Sequence, residues 1–189
     1  KKNKNNSNSN SSRSSSSLSN WQRVQLSLNE FKKTVQPYDE VWAAQNERGM
    51  CFGYKNQLIQ VDATLEEIGS ALSEHMLRWK GFHLKAIWHQ LQLKGEHVPL
   101  WDSMLAAYTL KAGDSENFEK IYKVYLGKIL PDLAGPEEFL LCDIELEPVL
   151  RRELSEVDGE NILNTFELPL ISVLYNMEQK GVLLDTEFL

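Results

Sequence analysis

Asp39–Asp62, DEVWAAQNERGMCFGYKNQLIQVD, is the stretch from which the rest of the chain is read. Glu40–Gln45 is rich in strand formers, Glu47-Arg48-Gly49 breaks the run, and Met50–Tyr54 resumes it with aromatic residues. Lys55-Asn56 turns the chain again, and Leu58–Val61 alternates apolar with polar residues. Three short strands joined by two tight turns make a meander. Such a meander needs a second layer to cover at least one face. The surrounding sequence offers mostly helices for that cover.

Upstream, Lys1–Asn20 is Asn- and Ser-rich, with Lys1, Lys2, Lys4 and Arg13 as its only charges. It has almost nothing to bury, so it is expected as a flexible tail or linker rather than an electrostatic tether to nucleic acid. Order is expected from Trp21. Val24, Leu26 and Leu28 alternate within Arg23–Leu28 as a short edge strand, and Ser27 or Asn29 can cap a brief helix that Pro37 ends.

Downstream of the meander, Asp62 is expected to cap a helix carrying Leu65, Ile68, Leu72 and Met76. Trp79–Phe82 reads as another strand. Leu84, Ile87, Trp88 and Leu91 mark a helix stopped by Gly95, and Asp102-Ser103 opens one carrying Met104, Leu105 and Tyr108. Gly113-Asp114-Ser115 reads as a turn and cap before Phe118, Ile121, Tyr122 and Tyr125, with Gly127 closing that helix. Gly135-Pro136 opens a long helix in which Pro148 is expected to kink or break the run. A last helix spans about Glu160 to Lys180, restarting at Pro169, with Gly181 after it and Val182–Asp185 extended.

At 189 residues and 42% hydrophobic content, the chain can bury one good core. Its net charge of −7 argues against a strong nucleic-acid grip by this chain alone. Cys51 and Cys142 lie among apolar residues and read as buried free thiols in a reducing compartment. With no membrane-length apolar run and no signal-peptide core, the expected location is the cytoplasm or an organelle matrix.

Glu167–Leu189, ELPLISVLYNMEQKGVLLDTEFL, resembles the segment that begins the polymerase domain of family A DNA polymerases, those similar to bacterial DNA polymerase I. Glu167, Pro169, Leu170, Val173, Leu174, Met177, Glu178, Gly181, Val182, Asp185 and Leu189 fit its E-x-P-L…V-L…M-E…G-V…D…L pattern. Trp101–Leu110, WDSMLAAYTL, resembles the D-T-M-L-A-A-Y-L-L block of the same family's proofreading exonuclease, and Gly81–Lys85, GFHLK, its G-H-N-L-K block. The resemblance implies an α/β (α+β) fold: a ribonuclease H-like mixed sheet covered by helices. It also implies a tail or linker over 1–20, a 3′-5′ exonuclease-like domain over 21–160 and the start of a polymerase domain over 161–189.

Active members of that family hold two divalent metals with a D-x-E pair, an Asp after G-H-N-L-K, and an Asp in a late Y-x-x-x-D helix, with the metals activating water. Carried over position by position, the pair falls on Ala43 and Gln45, the next Asp on Ile87, and the late motif on Phe139 and Asp143. Asp143 is the only ligand-type residue left, and two hard dications need several anionic oxygens. The resemblance therefore implies a degenerate exonuclease with no cofactor of its own, Mg²⁺ being expected only for the parent polymerase. Its expected partners are the polymerase domain of the same protein and, through it, DNA, in a monomer without membrane contact.

Other carboxylates compete for a rebuilt site: Asp39, Glu40, Glu47 and Asp62 near the meander, and Asp143, Glu145 and Glu147 later. Asp143 and Glu147 share a helix face at i, i+4. His75, His83, His89 and His97 form no helical metal pair, and Ser103 after Asp102 reads as capping rather than as a nucleophile served by His97. Trp79, Trp88, Trp101, Tyr122 and Tyr125 read as core rather than base-stacking platforms. The rival functions are an active metal-dependent 3′-5′ exonuclease with relocated ligands, and a free-standing adaptor of the same fold.

Overall fold

The computed structural model describes residues 20–181 apart from 112, 114, 132 and 133. The expected tail, Asp114 and the Val182–Asp185 extension therefore lie outside the described residues, Asn20 excepted. The meander forms as expected: β2 (Glu40–Asn46), β3 (Gly49–Tyr54) and β4 (Gln57–Asp62) pair antiparallel in sequence. Around it, β1 (Gln22–Ser27) lies parallel to β4, while β5 (Arg78–Gly81) and β6 (Val98–Asp102) extend the sheet in parallel beyond β2. The order β1-β4-β3-β2-β5-β6 is a six-stranded mixed sheet.

Capping explains where the helices begin, and it corrects several expected boundaries. Ser27 and Glu30 form a reciprocal capping box for α1 (Leu28–Thr34). Thr64, not Asp62, caps α2 (Leu65–Leu72), because Thr64 and Glu67 satisfy each other's backbone N–H groups and leave Asp62 at the strand end. Met76 falls beyond that helix. Helix α3 (Leu84–Leu91) stops at Gln92 in the left-handed conformation, before Gly95. There the Leu93 amide donates back to the Trp88 carbonyl while Leu93 enters the core.

Asp102 caps α4 (Ser103–Leu110), and Asn117, rather than the Gly113–Ser115 turn, caps α5 (Phe118–Leu126). Helix α6 (Pro136–Glu156) runs on through Pro148 with no break. The terminal helix is α7 (Gly159–Ile162), one wide turn over Leu163–Glu167, and α8 (Leu168–Lys180). In that turn the Leu168 amide reaches back to the Leu163 carbonyl, and Pro169 sits in the first turn of α8. The wide turn accommodates a residue that has no amide hydrogen to donate.

Helices cover both faces of the sheet. On one face Ala44, Cys51 and Leu58 pack with Leu140 of α6 in a small cluster. The alternating positions Ala43, Phe52 and Ile59 belong to a larger core with Phe31, Ile68, Leu84, Ile87 and Trp88. Gly69 lets α2 and α3 meet, since a Cβ there would lie 1.6 Å from the Leu91 carbonyl oxygen.

Candidate functional site: the carboxyl end of β2

Ala43 and Gln45 lie two residues apart on β2 and so face the same way. Ala43 is buried, flanked by Phe52 on β3 and Gly81 on β5. A Cβ at Gly81 would fall 2.5 Å from the Ala43 carbonyl oxygen, so the two strands touch backbone to backbone at this point. Just beyond, His83 adopts φ 59°, and α3 starts. Ile87, one turn into α3, is buried in the same core as Ala43.

The Phe139 ring on α6 lies 4.1 Å from that of Phe118, tilted by 35°, and Phe82 meets Phe118 edge-on at 5.1 Å. Phe139, which has no hydroxyl, is thus one corner of a cluster with Phe82 and Phe118. Asp143, one turn further, is buried; its Oδ1 accepts from the Ser103 hydroxyl, which itself accepts from Trp101 Nε1 at 2.8 Å. Oδ2 of Asp143 meets no partner among the described residues. Burial, set against the Ser103 bond and reinforced by Asp102 and Glu147, pushes the Asp143 carboxyl up to about 8. At neutral pH this side chain is a carboxylic acid, not an anion.

Of the carboxylates that could compensate, Glu147, Glu145, Asp39 and Glu40 are committed to other partners. Glu147 pairs with Arg151 at 2.8 Å and with Lys80 at 3.5 Å. Glu145 accepts from Tyr122 at 2.8 Å and pairs with Lys128. Asp39 accepts from the Tyr54 hydroxyl at 2.6 Å, Glu40 pairs with Arg78 at 3.0 Å, and Glu47 and Asp62 are exposed. Among the described residues no group of three or more His, Cys, Asp or Glu side chains is arranged to hold a metal ion.

Asp102 is the most heavily bonded carboxylate in the region. It accepts from the amides of His83 at 3.1 Å and Leu84 at 2.7 Å, and from those of Met104 at 3.0 Å and Leu105 at 3.3 Å. Burial raises its pKa while these amides pull the other way, and with four donors its geometry is that of an anion. One side chain therefore caps both α3 and α4. The D-S pair signals a cap in the sequence; the second helix it serves, 19 residues upstream, does not show there.

Ser103, Asp102 and His97 assemble no nucleophilic triad. Ser103 is committed to Asp143, while His97 is buried, accepting from Trp79 Nε1 at 3.3 Å on Nδ1 and lying 3.2 Å from the Lys94 carbonyl on Nε2. Burial holds the His97 ring below its ordinary pKa. His89 pairs with Glu178 at 2.6 Å, and His83 serves the start of α3. Trp79, Trp88, Trp101 and Tyr122 are buried and Tyr125 is half-buried. Beside Phe139 and Asn46 an open groove of about 1330 Å³ runs between α4, α5 and the chain around Leu130, a feature that no sequence motif marked.

Against known proteins, the chain matches no family model, and no curated protein sequence matches it. Among solved structures it is similar to one described as the POL domain of Pol1 from M. smegmatis in complex with DNA primer-template and dNTP. The TM-score is 0.59 at 20% identity, covering 77% of this chain and 29% of that one. The likeness is one of fold. This chain spans less than a third of the length of that polymerase chain. Among the described residues no helix is long and apolar enough to cross a membrane.

Proposed function

We propose that the chain is the degenerate 3′-5′ exonuclease-like part of a family A DNA polymerase, a catalytically inert platform beside the polymerase module. One observation carries the reading: the positions that would hold two metals are built as core. Ala43 and Ile87 are buried among apolar side chains, Phe139 belongs to an aromatic cluster, and Asp143 is tied to Ser103 with its carboxyl protonated at neutral pH. A site that stores like charges for metals is destabilised by them; this one has exchanged that repulsion for packing. The motifs over Gly81–Lys85, Trp101–Leu110 and Glu167–Leu189, together with the polymerase-like fold, support the family.

On this reading Mg²⁺ and DNA belong to the parent polymerase, and 161–189 begin its polymerase domain. The test is incubation of a 5′-labelled single strand with the 189-residue chain in Mg²⁺ or Mn²⁺. No 3′ shortening is expected. Metal-dependent shortening abolished by Asp143→Ala would overturn the reading in favour of relocated ligands.

A further inference from the structure

The two edges of the sheet differ. At one edge β6 is guarded: it contains Pro99, its register with β5 shifts between Trp79 and Lys80, and α8 packs against it. Proline, irregular register and a covering helix are the devices that keep an edge strand from pairing with another chain. At the other edge β1 has none of them. It pairs with β4 in unbroken register, contains no proline, and carries Arg23 as its one charge, taken up by Glu138 of α6.

The open backbone groups of β1 can be assigned. The Gln22 amide donates to the Asn56 carbonyl at 2.9 Å, and in a parallel ladder alternate residues turn both backbone groups toward the neighbouring strand. Gln22, Val24 and Leu26 therefore face β4, while Arg23, Gln25 and Ser27 face outward. Glu30 holds the Ser27 amide at 2.9 Å, and the Ser27 carbonyl begins α1. The free rim is thus the amide and carbonyl of Arg23 and of Gln25. Neither helical layer shades it. Phe31 of α1 reaches inward to the Phe52 ring of β3, and Leu140 of α6 packs on Ala44, Cys51 and Leu58. Among the described residues β1 pairs with β4 alone, and Val24 and Leu26 are only half-buried.

We infer that β1 pairs with β1 of a second copy of this chain, antiparallel about a two-fold axis at Val24, so that two six-stranded sheets become one continuous sheet. In this register Arg23 lies opposite Gln25 of the second copy, and the two exchange both backbone hydrogen bonds. Each open amide and carbonyl of the rim finds a partner, and the Ser27 amide is not needed. The two Val24 side chains meet across the axis as a non-hydrogen-bonded pair, the closer kind, where β-branched residues pack well. The like charges of the two Arg23 side chains do not face each other. A copy matches so short a rim by symmetry, whereas a longer foreign strand runs into the Glu30 carboxylate at one end. The residues before Trp21 are no rival, since none of them is β-branched or aromatic. The contact is small, so the chain is monomeric when dilute.

Sedimentation equilibrium of the 189-residue chain tests this. The weight-average mass should climb from 21.7 kDa toward twice that value as the concentration rises to about 1 mM. Gln25→Pro removes an amide that the fold does not use, so it should keep the circular dichroism of the parent and stay at the monomer mass. Val24→Lys, which sets like charges at the axis, should do the same. Cysteines read the register. Val24→Cys should be oxidised by glutathione disulfide to a covalent dimer, because its counterpart lies directly opposite, whereas Gln25→Cys, out of line with its counterpart, should not. Native Cys51 and Cys142 are buried, and burial pushes the Cys51 thiol up to about 12, so the parent chain gives a silent background.

A chain that stays at the monomer mass throughout would overturn the inference. So would a dimer that survives both Gln25→Pro and Val24→Lys, which would place the contact on another surface. Equal cross-linking of the two cysteine variants would refute the axis at Val24.

Discussion

Replacing Asp143 with Asn should remove a loss of stability that the parent chain undergoes as pH rises toward 8. In the folded chain the carboxyl titrates at about 8 rather than at the ordinary 3.8. Between these values the unfolded chain has released its proton while the folded chain keeps it, so stability falls as pH rises. The slope is about 1.36 kcal/mol per pH unit, which from about pH 5 to about pH 8 amounts to at most about 4 kcal/mol. Local opening that lets water reach the ion would lower this figure. The amide introduced by Asp143→Asn does not titrate, but its NH₂ group inherits the place of the partnerless Oδ2, at a pH-independent cost of about 1–3 kcal/mol. The variant should therefore be less stable than the parent below about pH 4, draw level between about pH 4.5 and about pH 6, and be the more stable protein from there to about pH 8.5. Urea unfolding of both proteins across this range, compared as a difference, isolates the one group. Two parallel curves would refute the claim that Asp143 is held neutral in the fold.

Four further substitutions probe the packing. Gly69→Ala should cost about 3 kcal/mol or more in urea unfolding, because its Cβ must displace the Leu91 carbonyl and part α2 from α3. Ile87→Asp, which places a carboxylate in the buried apolar core, should destabilise the protein by at least about 3 kcal/mol and, on the proposed reading, yield no nuclease activity. Tyr175→Phe removes the hydroxyl that the Leu93 carbonyl accepts from, while the Trp88 carbonyl keeps the Leu93 amide, and calorimetry should show a loss of about 1–2 kcal/mol. His97 stays neutral in the fold while the unfolded ring takes a proton below its ordinary pKa of 6.5, so stability should decline as pH falls through that value. His97→Gln should flatten that acid limb; an unchanged limb would assign it to other groups.

The meander was legible because alternation and turn residues agree over Glu40–Val61 and each strand pairs with its sequence neighbour. Strand β6 was not, since Val98–Asp102 is short, contains Pro99, and is defined by pairing with β5 alone. Boundaries failed where a competing interaction won: the Thr64–Glu67 box over Asp62, and burial of Leu93 over Gly95. At the candidate site, motif register nominated Ala43, Gln45, Ile87, Phe139 and Asp143 but said nothing of what surrounds them. The Ser103 hydroxyl on Asp143 comes from 40 residues away, and the aromatic cluster joins Phe82, Phe118 and Phe139 from three separate segments. Only tertiary structure brings such partners together.

The doubly used carboxylate of Asp102 has a mechanical consequence. Because its two oxygens anchor the first turns of both α3 and α4, neither helix can slide or tilt without dragging its neighbour. The two move as one rigid wedge against the sheet. A disturbance felt at α8, which packs on α3, therefore has a route to α4 through the Asp102 side chain, beside the direct contact of α4 with the turn over Leu163–Glu167.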